Sequence, residues 1–589
     1  MLTVITKQIV PSFIFQSLGK SQTNLIHRIL WIRSASKIPS GIVGKYKRVL
    51  PTHMYKPRPR WETDPYPNFD LSKILRPGFE NSQELKTADD AVKRVFTLEY
   101  ATRAEIQQYY SDYLVKAVQR HPLDQSSYEV LSFVQRCFTQ KDNTENDSNV
   151  VPYPFTIYPS PFPRNEYEKA CRIQYGINIL VHNLAFDIDL MDSIFNNLIE
   201  YDPFIRRLRN IYNQIQQLPY KSLFETCIIR TDYMLQQMNT FMERTKLRLV
   251  EINTIAVGLG AAAKLIYEWH KRFLKRIRHE LLSQLPENES YDLVINTLFE
   301  SWKIYNNSKA IILFIVPEKE FNIGDQMLIE KGLLSHGNYS LLIKHVTFID
   351  ICRYCFLDSK GILYFGDFEV ALIYYRSGYD PKHFYNEDIW QAYIMLESSR
   401  AIKCPSLRYH LAGMKCFQLA LTEKKFLEKI FQEHEQYIDD FQDILEEMFT
   451  IDQIINDPIL QQRILDKPES FYLKQSREGG GNVYCGPLLK EHIDKIIANK
   501  ESNRYFLMSR IYPPINTGLI RSSRPNNNNE FILEKQINGE LGIFGSLISQ
   551  DGTVIYERVG GSLLRSKLAT NIEGGIASGQ GCIDSVFLV

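Results

Sequence analysis

A chain of 589 residues that is 44% hydrophobic and 23% charged has the make-up of a soluble globular protein, not of a disordered, collagen-like or disulfide-framed one. No apolar run comes near the ~18 residues that a bilayer span requires, so a membrane protein is not expected. The net charge of +1 conceals an asymmetry: residues 1–61 hold eleven Lys and Arg and no acid, leaving −10 (+1 minus +11) for the rest.

That acid-free start, with Arg28, Arg33 and several serines, reads either as a mitochondrial transit peptide or as a disordered basic tail. It runs into PTHMYKPRPRWETDPYP (Pro51–Pro67), whose prolines favour an extended chain. Nucleic acid is not an expected partner, because the acidic body offers no continuation of the basic patch. From about Thr97 the pattern turns helical, and AEIQQYYSDYLVKAVQR (Ala104–Arg120) spaces its apolar residues at three and four. Helices are also expected over Asn165–Ile199 and Pro203–Gln217. The period then shortens: ETCIIRTDYML (Glu225–Leu235) and KLRLVEINTIAV (Lys246–Val257) read as adjacent strands. GLGAAAK (Gly258–Lys264) opens a helix whose N-terminus is placed to face an anion.

AIILFIV (Ala310–Val316) reads as a buried strand within an alternation of strands and helices from Lys309 to Gly413. Nine cysteines, scattered and odd in number, imply reduced thiols in a cytosol-like compartment. The lone CxxC at Cys352 and Cys355 reads as two buried thiols, not a zinc site. Helices resume over Leu411–Ile464. After a glycine-rich loop come a helix, the strand RYFLMSRI, an asparagine loop (Asn526–Asn529) and strands through Val589. The expected fold class is α/β with an inserted domain.

Three stretches carry chemistry. LKQSREGGGNVYCG (Leu473–Gly486) sets Lys474, Arg477 and Glu478 against three consecutive glycines. Such glycines let backbone N–H groups converge on an anion, while Lys474 adds a point charge and Glu478 an oxygen for a metal. A flexible surface loop is the alternative reading. In VEINT (Val250–Thr254), Glu251 and Asn253 share one strand face, and with Glu478 they make a hard oxygen trio suited to magnesium against phosphates. LLRSK places Arg565 and Lys567 on one face just before EGGIASG (Glu573–Gly579), a grip for carboxylate and phosphate or else a solvated edge strand. No GxxxxGK[ST] is present, which excludes a P-loop.

Taken in order, IIRTDYM, VEINTI, PEKEFNIGDQ, YYRSGY, AIKCP with LAGMK, LKQSREGGGN, LMSRI, ELGIFG and LLRSK with EGGIASG resemble the eukaryotic glutathione synthetase family of the ATP-grasp superfamily. The resemblance runs from about Thr97 to Val589. It implies an ATP-grasp fold: an N-terminal extension (1–96), a core with N-terminal helices (97–308), an inserted α/β substrate-binding domain (309–413), and core with a glycine-rich lid (414–589). The implied reaction joins γ-glutamylcysteine to glycine with ATP and Mg²⁺, in a cytoplasmic homodimer, or a mitochondrial one if residues 1–61 act as a transit peptide.

By the same resemblance, Glu251, Asn253 and Glu478 hold magnesium, and Glu251 also reaches ATP. Lys415 and Lys474 hold phosphates, with Gly479, Gly480, Gly481 and Asn482 closing over them. Met508, Ile511 and Glu540 line the adenine and ribose pocket, and Lys567 and Glu573 also reach the nucleotide. Arg230, Ala256, Gly258, Glu320, Asn322, Gln326, Arg376, Ser377, Gly378, Tyr379 and Arg565 form the dipeptide and glycine pocket, with Ile576 and Ala577 in the closing loop. Arg565, Lys415 and Lys474 are the catalytic group. The chain departs from the family's usual pattern where Ala256 and Gly258 replace serines, Ser377 replaces an Asp, Gln475 a Pro, and, with no gap allowed, Val483 and Cys485 replace Asn and Tyr; a one-residue slide instead restores Tyr484 to the aromatic position. Two other readings follow from these departures: a ligase using another amino acid in place of glycine, or a catalytically impaired nucleotide-binding scaffold.

Overall fold

The computed structural model describes residues 139–141, 150–220, 222–238, 245–277, 279–319, 322–337, 340–476, 483–526, 529–571, 575–576 and 580–589. All of them belong to a unit spanning 74–589. The basic stretch 1–61, the proline-rich segment and the helix expected over Ala104–Arg120 lie outside the described residues.

β1 (Phe155–Thr156) leads into α1 (Arg164–Phe186), α2 (Ile188–Ile199) and α3 (Pro203–Gln216). The helical stretch expected over Asn165–Ile199 is divided into two helices, because the Asp187 side chain accepts the Leu190 N–H and starts α2 afresh. Asp202 caps α3 in the same way, with Pro203 in its first turn. β2 (Phe224–Gln237) and β3 (Thr245–Asn253) pair antiparallel. β3 ends at Asn253 rather than Val257. Beyond it Ala256 and Leu259 take φ of 51° and 68°, a left-handed backbone that a strand cannot hold. Helices α4 (Gly260–Ile277) and α5 (Ser290–Ile304) follow.

The alternation expected from Lys309 is present as β4 (Ile311–Ile315), α6 (Ile323–His336), β5 (Ile343–Val346), β6 (Cys355–Leu357), β7 (Leu363–Phe365), β8 (Phe368–Tyr375) and β9 (Ile402–Cys404), all six strands in one sheet. β4 lies between the parallel strands β5 and β8 and is buried at every residue, which is why its sequence is apolar without alternation. The CxxC reading needs correction. Cys355 is buried but Cys352 is exposed, its thiol donating to the Asp388 carbonyl at 3.3 Å. The eight cysteines among the described residues are free thiols.

The helices after Leu411, including α7 (Lys415–Ala420), are short, and β10 (Met448–Thr450) interrupts them. β10, β11 (Phe471–Gln475) and β12 (Tyr505–Ser509) form a three-stranded antiparallel sheet ordered β10-β12-β11, with α8 (Leu489–Ala498) between the last two in the chain. β13 (Asn516–Asn526), β14 (Asn529–Gln550), β15 (Thr553–Leu568) and β16 (Gly581–Asp584) complete a seven-stranded sheet ordered β13-β1-β16-β15-β14-β2-β3, in which β13 also pairs with β14. Along β2, Cys227, Ile229, Tyr233 and Leu235 join the core beneath α1–α3, whereas Ile228 joins the core beneath α4 and α5. Strand alternation then sets Arg230, Asp232 and Met234 on the face of Ile228.

β16 is fastened by a buried polar knot. Asp584 accepts Thr156 Oγ1 at 2.7 Å, Ser160 Oγ at 2.6 Å, Ser566 Oγ at 2.6 Å and its neighbour's Ser585 N–H at 2.7 Å. Burial pushes its carboxyl up to about 6, against the lowering effect of those donors. A raised carboxyl contributes stability that is fully present below its unfolded value near 4 and is lost as pH climbs through about 6. Asp584→Asn removes this dependence. Relative to the parent, its stability is expected to improve by about 2–3 kcal/mol between pH 4 and pH 7. Urea unfolding midpoints of both proteins across that range check it; parallel curves would refute it.

Candidate functional site

The charged motifs converge on four neighbouring strands, β15, β14, β2 and β3. Across them Arg565 lies opposite Glu540, and Glu540 opposite Met234; Gly542 lies opposite Asp232, and Asp232 opposite Glu251; Phe544 lies opposite Arg230, and Arg230 opposite Asn253. One irregularity decides the outcome. The register between β2 and β3 shifts so that Asp232 pairs with Glu251 and Tyr233 with Leu249, leaving Val250 as an extra residue. Leu247 and Leu249 are buried, and a strict period of two would send Glu251 and Asn253 into the core with them. The bulge turns Ile252 inward instead and aims Glu251 and Asn253 along the row of charges.

Asp232, fully buried, is the hub. It accepts Arg230 Nε at 2.7 Å and Nη2 at 2.8 Å, Arg565 Nη2 at 2.8 Å and Asn253 Nδ2 at 2.9 Å. Arg565 Nη2 also donates to Glu540. Lys415 Nζ sits 3.0 Å from Glu251 Oε2. Burial by itself would raise the Glu251 carboxyl, but Lys415, then Arg565 and Lys474, outweigh it and hold the group well below the usual carboxylate range.

Asp232, Glu251 and Glu540 each bring a carboxylate oxygen within 4.8 Å of the others. Such hard oxygens are the donors that magnesium takes. Asn253 commits its amide N–H to Asp232 and to the Arg230 carbonyl at 3.2 Å, so its carbonyl oxygen is the atom it can offer a cation. The donor set at Glu251 and Asn253 therefore fits Mg²⁺, with Glu540 close by; Glu478, the third expected ligand, lies outside the described residues.

The residues expected on the nucleotide side lie on or beside the three-stranded sheet. Lys474 lies opposite Phe506 on β12, and its Nζ donates to Met508 Sδ at 3.2 Å. Met508 and Ile511 pack with Met234, Met448 and Phe506, edged by Val250, Leu419 and Leu445. Met234 and Val250 were not foreseen, although strand alternation from Arg230 reaches Met234. Burial, then the neighbouring Lys415, pushes the Lys474 ammonium down to about 8, with Glu251 and Glu540 opposing. Lys474 is expected to lose its charge, and with it phosphate attraction, as pH rises through about 8. Nucleotide affinity of the free protein, titrated from pH 7 to 9.5, should weaken across that step. The step should vanish in Lys474→Met, and its persistence there would refute the assignment.

The other half of the site grips the loop Thr254–Leu259. Arg376 Nη1 donates to the Val257 carbonyl at 2.6 Å, Tyr374 Oη to the same oxygen at 3.2 Å, and Arg230 Nη1 to the Gly258 carbonyl at 3.3 Å. A Cβ on Gly258 would stand 2.7 Å from Arg376 Nη2 and 3.0 Å from Asn322 Nδ2. The absence of a side chain at Gly258 is thus what lets these two groups close on the loop. Asn322 accepts from Tyr153 Oη. Asp325, buried in α6, takes the N–H groups of Leu259, Ala261 and Ala262 at 2.8, 3.0 and 3.3 Å. The N-terminus of α4, read as an anion site, is therefore occupied by the chain's own carboxylate.

Gln326 is buried one residue on, Ser377 and Gly378 are buried past the end of β8, and Tyr379 packs edge-on to His383 with ring centroids 4.9 Å apart. Lys567 is buried on β15 and contributes to the field at Lys474; Ile576 is buried in the core with Phe155 and Ile583. Glu320, Gly479, Gly480, Gly481, Asn482, Glu573 and Ala577 lie outside the described residues. Asp232, Asp325 and Tyr374 were not foreseen; each sits inside a quoted motif, but only tertiary contact reveals what it holds.

This mixed α/β arrangement is that of glutathione synthetase-like proteins. The solved apo structure of a glutathione synthetase-like effector from Globodera pallida matches it with a TM-score of 0.60 over 77% of this chain and 93% of that one, at 20% identity. A profile of the family described as eukaryotic glutathione synthase, ATP binding domain, matches residues 120–588. Glutathione synthetase of Xenopus laevis is 31% identical over 461 residues, covering 78% of this chain and 95% of the relative. The chloroplastic glutathione synthetase of Solanum lycopersicum is 29% identical over 461 residues, covering 77% and 80%. The chain belongs to the eukaryotic glutathione synthase family.

Proposed function

We propose that this protein makes glutathione, joining γ-glutamylcysteine to glycine at the expense of ATP, on an ATP-grasp fold. Family membership supports the reaction. The observation that carries the site is the row of paired charges on β15, β14, β2 and β3, with Lys415 and Lys474 facing Glu251.

In this reading the γ-phosphoryl group passes to the cysteinyl carboxylate, giving an acyl phosphate, and the glycine amine displaces phosphate to form the amide. Lys415 and Lys474 neutralise the phosphates, and Arg230, Arg376 and Arg565 orient the carboxylates, so positioning and charge do the work without a protein nucleophile. Glu251, Asn253 and Glu478 would hold Mg²⁺, which supplies charge neutralisation at the phosphates. Gly479–Gly481, Ile576 and Ala577 belong to the same proposal as the residues that would shield the acyl phosphate from water.

A homodimer belongs to the same proposal. So does a cytoplasmic setting, with residues 1–61 as a mitochondrial address in the alternative. No helix among the described residues is long and apolar enough to cross a membrane. The full chain incubated with γ-glutamylcysteine, glycine, ATP and Mg²⁺ should release ADP together with glutathione, detected by mass spectrometry. ADP release without glutathione, or with β-alanine preferred to glycine, would overturn the assignment of product.

A further inference from the structure

We infer that Asp232 is the positioning residue that sets Arg230, Arg565 and Asn253 together, and that Gly542 is the floor that permits it; this rests on the ligase reading above. Asp232 is assigned no substrate group, and although it lies within 4.8 Å of the Glu251 and Glu540 carboxylates, its oxygens collect four N–H donors from three side chains given three different tasks. Arg230 belongs to the dipeptide pocket, Arg565 to the glycine side and Asn253 to the cation.

The geometry leaves little slack. Asp232 has no exposed surface, so no water substitutes for a donor that moves away. The Arg230 contact is a two-pronged fork, which fixes the plane of the guanidinium as well as its distance. With Nε and Nη2 held, Nη1 reaches the Gly258 carbonyl and ties the same side chain to the substrate loop. On Arg565, Nη2 bridges Asp232 and Glu540, so the hub also fixes the span between β2 and β14.

Gly542 lies opposite Asp232 in register. A Cβ there would stand 2.8 Å from Asp232 Oδ1, 2.8 Å from Arg230 Cδ and 3.1 Å from Arg230 Cγ. Its backbone is not in the left-handed region; the glycine is required by the space the pair occupies. One methyl group at this position pushes on Asp232 and on the Arg230 stem from below, and meets no group assigned to nucleotide or cation.

Asp232→Asn and Gly542→Ala test this in the full chain, read by steady-state kinetics for each substrate and by direct ATP binding. A displacement of the reacting groups on the order of 1 Å costs up to about 10²-fold, so kcat/KM for γ-glutamylcysteine should fall by about that factor. Dipeptide KM rises and ATP affinity measured without Mg²⁺ stays near that of the parent, because the Lys474 and Met508 side is untouched and Asn253 acts on the nucleotide only through the cation. Gly542→Ala should show the same split in milder form even where Asp232→Asn does not fold. Folded variants with parental dipeptide kinetics would overturn the proposal, as would equal losses for dipeptide and ATP, the mark of a merely structural residue. A parent protein that forms no glutathione would sink the ligase reading instead, and dipeptide binding by calorimetry would then judge the hub separately.

Discussion

Glu251→Gln is expected to cut turnover by about 10²–10³-fold, the range associated with removing one preorganised electrostatic contact at a reacting centre. The substitution keeps the size of the side chain and one oxygen but deletes the charge. That charge is present throughout the working pH range, because Lys415, Arg565 and Lys474 hold the carboxyl ionised against burial. Without it, Lys415 loses its partner at 3.0 Å, and a cation at Asn253 loses its strongest ligand. Two consequences separate this from general damage. Raised Mg²⁺ should recover part of the rate, since ion affinity is one of the things lost. Nucleotide binding without Mg²⁺ should tighten, since a negative group near the phosphates has gone. Glu478→Gln, in the same proposed ligand set, should share the Mg²⁺ dependence. ADP release measured against Mg²⁺, with folding checked by circular dichroism, decides it. A folded Glu251→Gln protein within a few-fold of parental turnover at limiting Mg²⁺ would remove Glu251 from the cation site.

Why Glu251 was legible and its neighbours were not is a matter of range. β4 is readable because burial on both faces leaves a continuous apolar run, and β2 because β-branched and aromatic residues crowd Cys227–Tyr233. Placing Glu251 beside Asn253 needs only alternation. Which face they share depends on the bulge at Val250, and nothing in LRLVEIN announces it: Leu247 and Leu249 set a rhythm that would bury both ligands. The nine ordered motifs supplied the site list through family resemblance. They did not supply Asp232 as a hub, because its meaning depends on Arg565 and Gly542, which reach it only when the sheet forms. The end of β3 was misplaced for a related reason. TIAV looks like strand, but Asp325, Arg376 and Arg230 pull the backbone of Thr254–Leu259 into a left-handed path. Three distant side chains override local preference there.

Asp325→Ala should therefore be the most damaging single change to the loop Thr254–Leu259 and the dipeptide pocket proposed around it. Asp325 is buried, and its two oxygens satisfy three N–H groups at the start of α4. Removing them leaves those donors unpaired and takes a negative charge from a helix N-terminus. The expected cost is about 3–5 kcal/mol, the range for breaking a buried polar cluster from one side. Asp325→Asn, which keeps one accepting oxygen, should cost about half as much. The functional effect follows from the loop. Leu259, at φ 68°, is held by its N–H to Asp325 Oδ2 at 2.8 Å, and a released Leu259 relaxes toward ordinary backbone. The Val257 and Gly258 carbonyls then shift from Arg376 and Arg230, and the dipeptide pocket loses its shape. ATP affinity should change far less, because Lys474 and Met508 sit on another sheet and Ile511 packs just past its end. Urea midpoints for the parent, Asp325→Asn and Asp325→Ala, paired with dipeptide and ATP titrations of whichever variants fold, measure both effects. An Asp325→Ala protein as stable as the parent would mean that the loop holds its left-handed turn without Asp325, through the grip of Arg230 and Arg376 on its carbonyls.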